Sequence, residues 1–186
     1  IEKANESKGK EDILQKVQKS KNSPAKELLD ISLDAEEYTV TFVANGQTVT
    51  RKALFDWSKE DNERIRYYSG TAIYKTTFPW KYKEQKDRQV YLHLGTVYNL
   101  ATVRVNGIDC GTVWTAPYRA DITAALKKGT NELEIEVTNT WANALKGTDE
   151  GKAPFEGIWT NAKYRKQENT LLPGGLLGPL YLEQSN

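Results

Sequence analysis

Hydrophobic and polar residues alternate along most of the chain, and a period of two predicts β-strands. The stretch Gln89-Val90-Tyr91-Leu92-His93-Leu94 places its three aliphatic side chains on one face and its glutamine, tyrosine and histidine on the other. In Glu132-Leu133-Glu134-Ile135-Glu136-Val137, the aliphatic residues alternate with three outward glutamates. Further strands are predicted at residues 39–43, 47–50, 70–78, 102–105, 159–165 and 180–182.

Turn residues separate these strands. Asn45-Gly46 and Asn106-Gly107 each lie between alternating segments, and Asn-Gly is the strongest short signal for a β-hairpin because both turn residues accept positive φ. A single helix is predicted at residues 123–128, capped by Asp121 or Thr123 and ended by Gly129. Many short strands with almost no helix predict an all-β fold, an antiparallel jelly-roll β-sandwich.

The first part of the chain differs from the rest. Up to about Asp30 it is rich in lysine and glutamate, and Ser23-Pro24 resembles a helix start that leads into Lys26-Glu27-Leu28-Leu29. We therefore divide the chain into a linker or short helical extension at residues 1–35 and a jelly-roll β-sandwich domain at residues 36–186. A disordered tail is the alternative for the first segment.

Composition excludes several classes of function. Lysine and arginine number 26 against 25 acidic residues, and this balance gives no basic surface for nucleic acid. No apolar run reaches the 18 residues of a transmembrane helix, so no membrane partner is expected. The chain has no methionine and begins with Ile1, so we expect a processed or excised piece of a longer protein.

Six segments between Tyr68 and Pro179 carry a family resemblance. They are Tyr68-Ser69-Gly70-Thr71-Ala72-Ile73-Tyr74, Val103-Arg104-Val105-Asn106-Gly107, Trp114-Thr115-Ala116-Pro117-Tyr118-Arg119-Ala120-Asp121-Ile122-Thr123, Gly129-Thr130-Asn131-Glu132-Leu133, Val137-Thr138-Asn139-Thr140-Trp141-Ala142-Asn143 and Leu172-Pro173-Gly174-Gly175-Leu176-Leu177-Gly178-Pro179. In this order they resemble the sugar-binding domain of family 2 glycoside hydrolases. More closely, they are similar to the C-terminal β-sandwich of family 106 α-L-rhamnosidase-like proteins. The resemblance implies a galactose-binding-domain-like fold and a non-catalytic sugar-binding or accessory module. It also implies a catalytic barrel domain as partner, a polysaccharide glycan as substrate of the whole enzyme, and a periplasmic or extracellular location in a bacterium.

The residues themselves argue against catalysis by this chain. Its one histidine, His93, is predicted to be solvated, and its one cysteine, Cys110, to be half-buried after a turn. Glycoside hydrolysis needs two carboxylates, and Asp149, Glu150 and Glu156 share one long loop. The resemblance, however, assigns the catalytic acids to a separate domain, so no catalytic residue is expected here.

Aromatic residues are the remaining candidates for a site. An aromatic platform flanked by polar groups is typical of a sugar site, and two stretches supply this mix: Trp114 with Tyr118 and Arg119, and Trp141 with Asn143. Trp159 is a further candidate. Alternatively, these tryptophans close the ends of the sandwich or lie beneath a neighbouring domain.

Three functions therefore stay open: an accessory domain packed on a catalytic barrel, an autonomous carbohydrate-binding module, and a structural spacer. No cofactor and no metal ligand are predicted. A structural calcium ion is common in such jelly rolls, and Asp149-Glu150-Gly151 is the nearest approach to an oxygen-rich loop in this sequence.

Overall fold

Twelve β-strands dominate the part of the chain that the structure describes, which is a computed structural model covering residues 27–33, 37–81, 88–152, 158–161 and 170–185. The strands are β1 (Glu27–Ser32), β2 (Tyr38–Phe42), β3 (Gln47–Arg51), β4 (Thr71–Trp80), β5 (Gln89–His93), β6 (Thr96–Tyr98), β7 (Leu100–Val105), β8 (Ile108–Val113), β9 (Arg119–Asp121), β10 (Gly129–Thr138), β11 (Gly175–Gly178) and β12 (Tyr181–Ser185). The helices are α1 (Glu63–Arg66) and α2 (Ala142–Asp149), with 3-10 turns at Trp57–Lys59 and Thr123–Ala125.

Two antiparallel sheets form a sandwich. The larger has the strand order β3-β2-β4-β10-β7-β8, and the smaller has the order β1-β12-β5-β9. A two-stranded ladder, β11-β6, lies beside them. Leu133, Ile135 and Val137 of β10 join Val90 and Leu92 of β5 in one buried core. Because both sheets bury their alternate aliphatic positions together, the predicted all-β sandwich is confirmed, and its jelly-roll connectivity stays a prediction.

The two predicted hairpins differ in their turns. Asn106 and Gly107 have φ of 52° and 79°, and Val105 pairs with Ile108, so this is the predicted two-residue turn. The first hairpin pairs Phe42 with Gln47 through a four-residue loop in which only Gly46 has positive φ. Asn45 instead accepts a hydrogen bond from Gln47 N through its side chain, at 3.1 Å, which stabilises the loop without a left-handed asparagine.

The helix predicted at residues 123–128 is wrong beyond its first turn, because only Thr123–Ala125 forms a 3-10 turn. The N-cap position is taken by Ile122 and not by Asp121 or Thr123, although the Asp121 carboxylate accepts a hydrogen bond from Thr123 N at 3.0 Å. Two asparagine side chains then take over the backbone groups that a helix would have used. Asn106 Nδ2 donates to Ala125 O at 2.8 Å, and Asn131 Oδ1 accepts from Lys127 N at 2.9 Å.

The prediction of helix from Glu27 onward is also wrong, because residues 27–32 form β1, which pairs with β12 at the edge of the smaller sheet. A single helical turn is unstable in isolation because helix nucleation is costly. At the edge of a sheet, by contrast, the backbone groups of these residues find hydrogen-bond partners. The strand predicted at residues 159–165 is not formed at 159–161, and residues 162–165 lie outside the described part of the chain. The helices predicted before residue 27 also lie outside it.

Candidate functional site

One end of the larger sheet gathers the loops that carry two of the candidate tryptophans. Val113 pairs with Ala101, and Ala101 pairs with Val137, so the last residues of β8 and β10 lie two strands apart. At about 4.8 Å per strand, this separation is about 10 Å. Trp114 follows β8 directly, and Trp141 follows β10 at the start of α2. The fold therefore brings Trp114 and Trp141 to the same end of the sandwich.

Most of the exposed large apolar residues in the described part of the chain lie at this end. Trp114 is 68% exposed and Trp141 is 57% exposed. Three further exposed apolar residues lie at the same end: Val43, Leu100 and Leu172. The backbone of Val43 bonds the first residue of β4, that of Leu100 pairs with the last residue of β10, and that of Leu172 bonds a side chain of α2. We name this surface the tryptophan end, defined by Val43, Leu100, Trp114, Trp141 and Leu172. Ile108 is also exposed but lies in the β7–β8 hairpin at the opposite end of the sheet.

Asn143 sits beneath this surface rather than on it. Its side chain is buried, and Nδ2 donates to Leu172 O at 2.7 Å while Oδ1 accepts from Leu172 N at 2.8 Å. Ala144 N donates to the buried Ser69 hydroxyl at 3.0 Å, which fixes α2 to the segment before β4. Asn143 thus holds the loop that carries Leu172, and its predicted contact with sugar stays a prediction.

The same loop is anchored by a buried tryptophan that the sequence did not single out as part of a site. Trp57 is buried, its Nε1 donates to the Tyr74 hydroxyl at 2.7 Å, and its backbone N donates to Gly174 O at 3.0 Å. Gly175 has φ of +99°, and a Cβ atom there would lie 2.5 Å from Trp57 Nε1. The Pro-Gly-Gly bend therefore needs glycine because the backbone passes directly over this ring. The two consecutive glycines Gly174-Gly175 are the signal of this contact in the sequence.

The members of the first predicted group have different surroundings. Trp114 projects into solvent, whereas Tyr118 is half-buried against the core and its carbonyl accepts from Leu94 N at 2.8 Å. Arg119 belongs to β9, where its guanidinium carbon lies 4.6 Å from the centre of the Tyr91 ring. A cation–π contact of this kind fixes Arg119 on the smaller sheet.

The structure also describes Trp159 and two of the three predicted carboxylates, Asp149 and Glu150. Trp159 is strongly exposed between two stretches that are not described. Glu150 accepts from the Tyr67 hydroxyl at 2.7 Å, and this bond to a carboxylate, together with burial, raises the pKa of Tyr67 to about 12. Glu156 lies outside the described residues. Asp149 is exposed in the last turn of α2.

His93 is not solvated as predicted. Its side chain is only 12% exposed, its ring stacks on Tyr181 at 4.5 Å, and Nε2 lies 2.6 Å from Glu183 Oε2. Tyr181 and Glu183 of the paired strand β12 lie beside His93, and a two-residue period cannot reveal such neighbours. Cys110 is half-buried as predicted, and burial raises the pKa of its thiol. Cys110 lies on β8 and His93 on β5 of the other sheet, so they form no nucleophile–base pair.

Within the described ranges, no group of three or more His, Cys, Asp or Glu side chains could hold a metal ion, so the Asp149-Glu150-Gly151 stretch gains no support as a calcium site. None of the helices in the described part of the chain has the length and hydrophobicity needed to cross a bilayer.

Known glycosidases contain a region similar to this chain. A putative β-glucuronidase of Formosa agariphila is 36% identical, over 78% of this chain and 15% of that protein. The structure of a rhamnosidase from Novosphingobium sp. PP1Y matches with a TM-score of 0.76 and 36% identity, over 87% of this chain and 15% of that one. An FMN-binding β-glucuronidase from Facaelibacterium prausnitzii L2-6 matches with a TM-score of 0.56 and 26% identity, over 83% and 22%. The chain thus spans about a seventh of the length of its first two relatives.

A family model covers most of the sandwich. Residues 48–171, two thirds of the chain, match the family described as glycosyl hydrolase 2 galactose-binding domain-like. The matched range includes β4, β5, β7, β8, β10 and both residues of the exposed tryptophan pair. It corresponds to a galactose-binding-like domain and not to the catalytic domain of the larger relatives. The chain belongs to the glycosyl hydrolase 2 galactose-binding domain-like family.

Proposed function

We propose that this domain serves a larger glycoside hydrolase as a non-catalytic accessory module, and that its tryptophan end packs against the catalytic domain and helps to shape the glycan site. The single observation that carries the proposal is the exposure of Trp114 and Trp141 at one end of the sandwich. Contiguous apolar surface on a soluble domain marks an interaction site. Tryptophan is also the residue most often responsible for the binding energy of an interface.

The lengths of the relatives and their glycosidase activities support a catalytic domain as the partner of this domain. The rhamnosidase and the putative β-glucuronidase are each several times longer than the chain, so room remains in them for a catalytic domain. We propose that the whole protein is a glycosidase of the rhamnosidase or glucuronidase type that acts on polysaccharide glycans. A periplasmic or extracellular location fits this activity, since the relatives are bacterial glycosidases.

The test compares the isolated 186-residue chain with the longer protein on aryl α-L-rhamnosides, β-D-galactosides and β-D-glucuronides. The proposal expects no turnover by the chain above a buffer blank and turnover by the longer protein. Turnover by the chain that disappears in Asp149→Asn, Glu150→Gln or Glu156→Gln would overturn it.

An autonomous carbohydrate-binding module is the second candidate, and the solvent-facing rings of Trp114, Trp141 and Trp159 favour it. Such rings stack on the apolar faces of sugars, with polar groups such as Arg119 or Tyr118 as the proposed partners of the hydroxyls. Calorimetric titration of the chain with plant cell-wall oligosaccharides separates the two. Binding that is lost in Trp114→Ala or Trp141→Ala, with the fold retained, would support the module; its absence would favour docking on a catalytic domain.

A further inference from the structure

The outer face of the larger sheet carries a groove of about 590 Å³. Side chains of four neighbouring strands line it, and we name it the sheet groove, defined by Thr39, Lys75, Thr77, Arg104, Glu132 and Glu134. Its volume falls within the range of about 300–1,000 Å³ that is typical of ligand sites. It lies on the face of the sheet, whereas the tryptophan end lies at the strand termini.

Strand register organises the groove into a row. Thr39 pairs with Lys75, Lys75 with Glu134, and Glu134 with Arg104, so four strands in succession each place one side chain on the same face. With about 4.8 Å between strands, the row is about 14 Å long. A ligand that fills it is therefore an extended molecule rather than a single small ring.

Ion pairs hold the middle of the row in place. Lys75 Nζ lies 3.0 Å from Glu134 Oε2, and Arg104 Nη1 lies 3.0 Å from Glu134 Oε1. Arg104 Nη1 also bonds Glu136. The hydrogen bond from Lys75 and the neighbouring Arg104 lower the pKa of Glu134, so its carboxylate stays ionised at neutral pH. The polar groups are thus arranged before a ligand arrives, which reduces the entropy lost on binding.

Donors and acceptors remain available beside these pairs. Among the described residues, the hydrogen bonds of the Arg104 guanidinium all run through Nη1, which leaves its Nε–H and Nη2–H groups open to a ligand. Glu132 offers an exposed carboxylate and Thr77 an exposed hydroxyl on the same face. Alternating donors and acceptors match the hydroxyl groups of a sugar chain, each of which both donates and accepts.

Charge and the absence of aromatic rings narrow the ligand further. Three carboxylates line the groove, Glu37, Glu132 and Glu134, against the two cations Lys75 and Arg104. This excess of negative charge disfavours uronates and other anionic glycans. The groove lining contains no aromatic ring, so a peptide would find no aromatic anchor there. We propose that the sheet groove binds a neutral oligosaccharide, as a second glycan site separate from the tryptophan end.

The test is site-resolved titration of the 186-residue chain by backbone amide NMR, with cellohexaose, xylohexaose and a neutral rhamno-oligosaccharide as probes. Without an aromatic platform we expect weak binding, with Kd of about 1 mM, or about −4 kcal/mol. The amides of residues 75, 77, 104 and 134 should shift with at least one neutral probe. Oligogalacturonate, the anionic probe, should bind at least fivefold more weakly.

Variants keep the test independent of the tryptophan end. Arg104→Gln should weaken binding at least fivefold, and Arg64→Gln, an exposed arginine on α1, should leave it unchanged. Trp114→Ala should also leave it unchanged. The proposal is overturned if no neutral probe shifts the groove amides, if oligogalacturonate binds as tightly, or if a folded Arg104→Gln binds normally. Shifts confined to residues near Trp114 and Trp141 would also overturn it, while supporting a glycan site at the tryptophan end.

Discussion

Asn143 binds Leu172 through both atoms of its side-chain amide, at 2.7 Å and 2.8 Å, across 29 residues of sequence. These two hydrogen bonds tie the start of α2 to the loop before β11. Asn143 is two residues from Trp141 in the sequence. Because both partners are backbone groups, the contact depends on asparagine and not on the identity of residue 172. It fixes the position of two of the five residues of the tryptophan end.

We expect Asn143→Ala to lower the free energy of unfolding by about 1–2 kcal/mol, because both backbone groups of Leu172 lose their partner. Urea unfolding followed by tryptophan fluorescence measures this change. Asn161→Ala removes an exposed asparagine and should stay within about 0.5 kcal/mol of the native chain. Equal stability of the two variants would show that the Asn143–Leu172 contact does not hold the loop.

Glycine at position 175 is required by contact as well as by φ. In Gly175→Ala the new methyl would lie 2.5 Å from Trp57 Nε1, at φ of +99°, so we expect a loss of about 2–4 kcal/mol. Gly46 is the matched control, since its φ is +68° but nothing lies within 4 Å of an added Cβ. Gly46→Ala should cost only about 1 kcal/mol. Urea midpoints compare them, and a Gly175→Ala loss no larger than that of Gly46→Ala would refute the close approach to Trp57.

Tyr67 predicts a dependence of stability on alkaline pH. Its folded pKa of about 12 exceeds the ordinary value of about 10, because its hydroxyl donates to the Glu150 carboxylate. The unfolded chain therefore loses this proton first, so the stabilisation is complete below pH 10 and disappears as pH rises through 12.

The measurement is the melting temperature of the chain between pH 9 and pH 12, compared with Tyr67→Phe, which lacks the titrating hydroxyl. The native chain should lose stability more steeply than Tyr67→Phe over this range. Glu150→Gln should remove most of the difference, since the carboxylate is the main cause of the raised pKa. Parallel curves of melting temperature against pH for the native chain and Tyr67→Phe would contradict the predicted role of Tyr67.

The strands were predictable because burial on one face imposes a period of two. Leu133, Ile135 and Val137 show it without ambiguity, and all three are buried. The two-residue turn at Asn106-Gly107 was also predictable, since both residues accept positive φ without tertiary support. The prediction of the sandwich and the recognition of the family resemblance both depend on such local signals.

The helix α2 and the buried role of Asn143 depend on partners distant in sequence. Gly147 interrupts the helical pattern of α2, and a Cβ at this position would lie only 3.0 Å from the Tyr67 side chain. Asn143 was predicted as a sugar ligand because it lies beside a tryptophan in the sequence, and its bond to Leu172, 29 residues away, has no local signal. His93 was misplaced for the same reason, since Tyr181 and Glu183 cover it from another strand.

The proposed role of the tryptophan end is tested most directly by alanine substitutions at its two rings in the longer protein. Trp114→Ala and Trp141→Ala remove exposed side chains, so the isolated domain should unfold at nearly the native urea concentration. Ile108→Ala is the control, because it removes an exposed apolar side chain at the opposite end of the sheet.

The decisive quantity is kcat/KM of the longer protein on the glycoside that it hydrolyses. We predict that Trp114→Ala and Trp141→Ala each lower kcat/KM at least tenfold, which corresponds to about 1.4 kcal/mol, because each removes a contact that positions the domain against the catalytic domain. Ile108→Ala should retain the native value. Native kcat/KM in the double variant Trp114→Ala/Trp141→Ala, with the domain folded, would contradict the account.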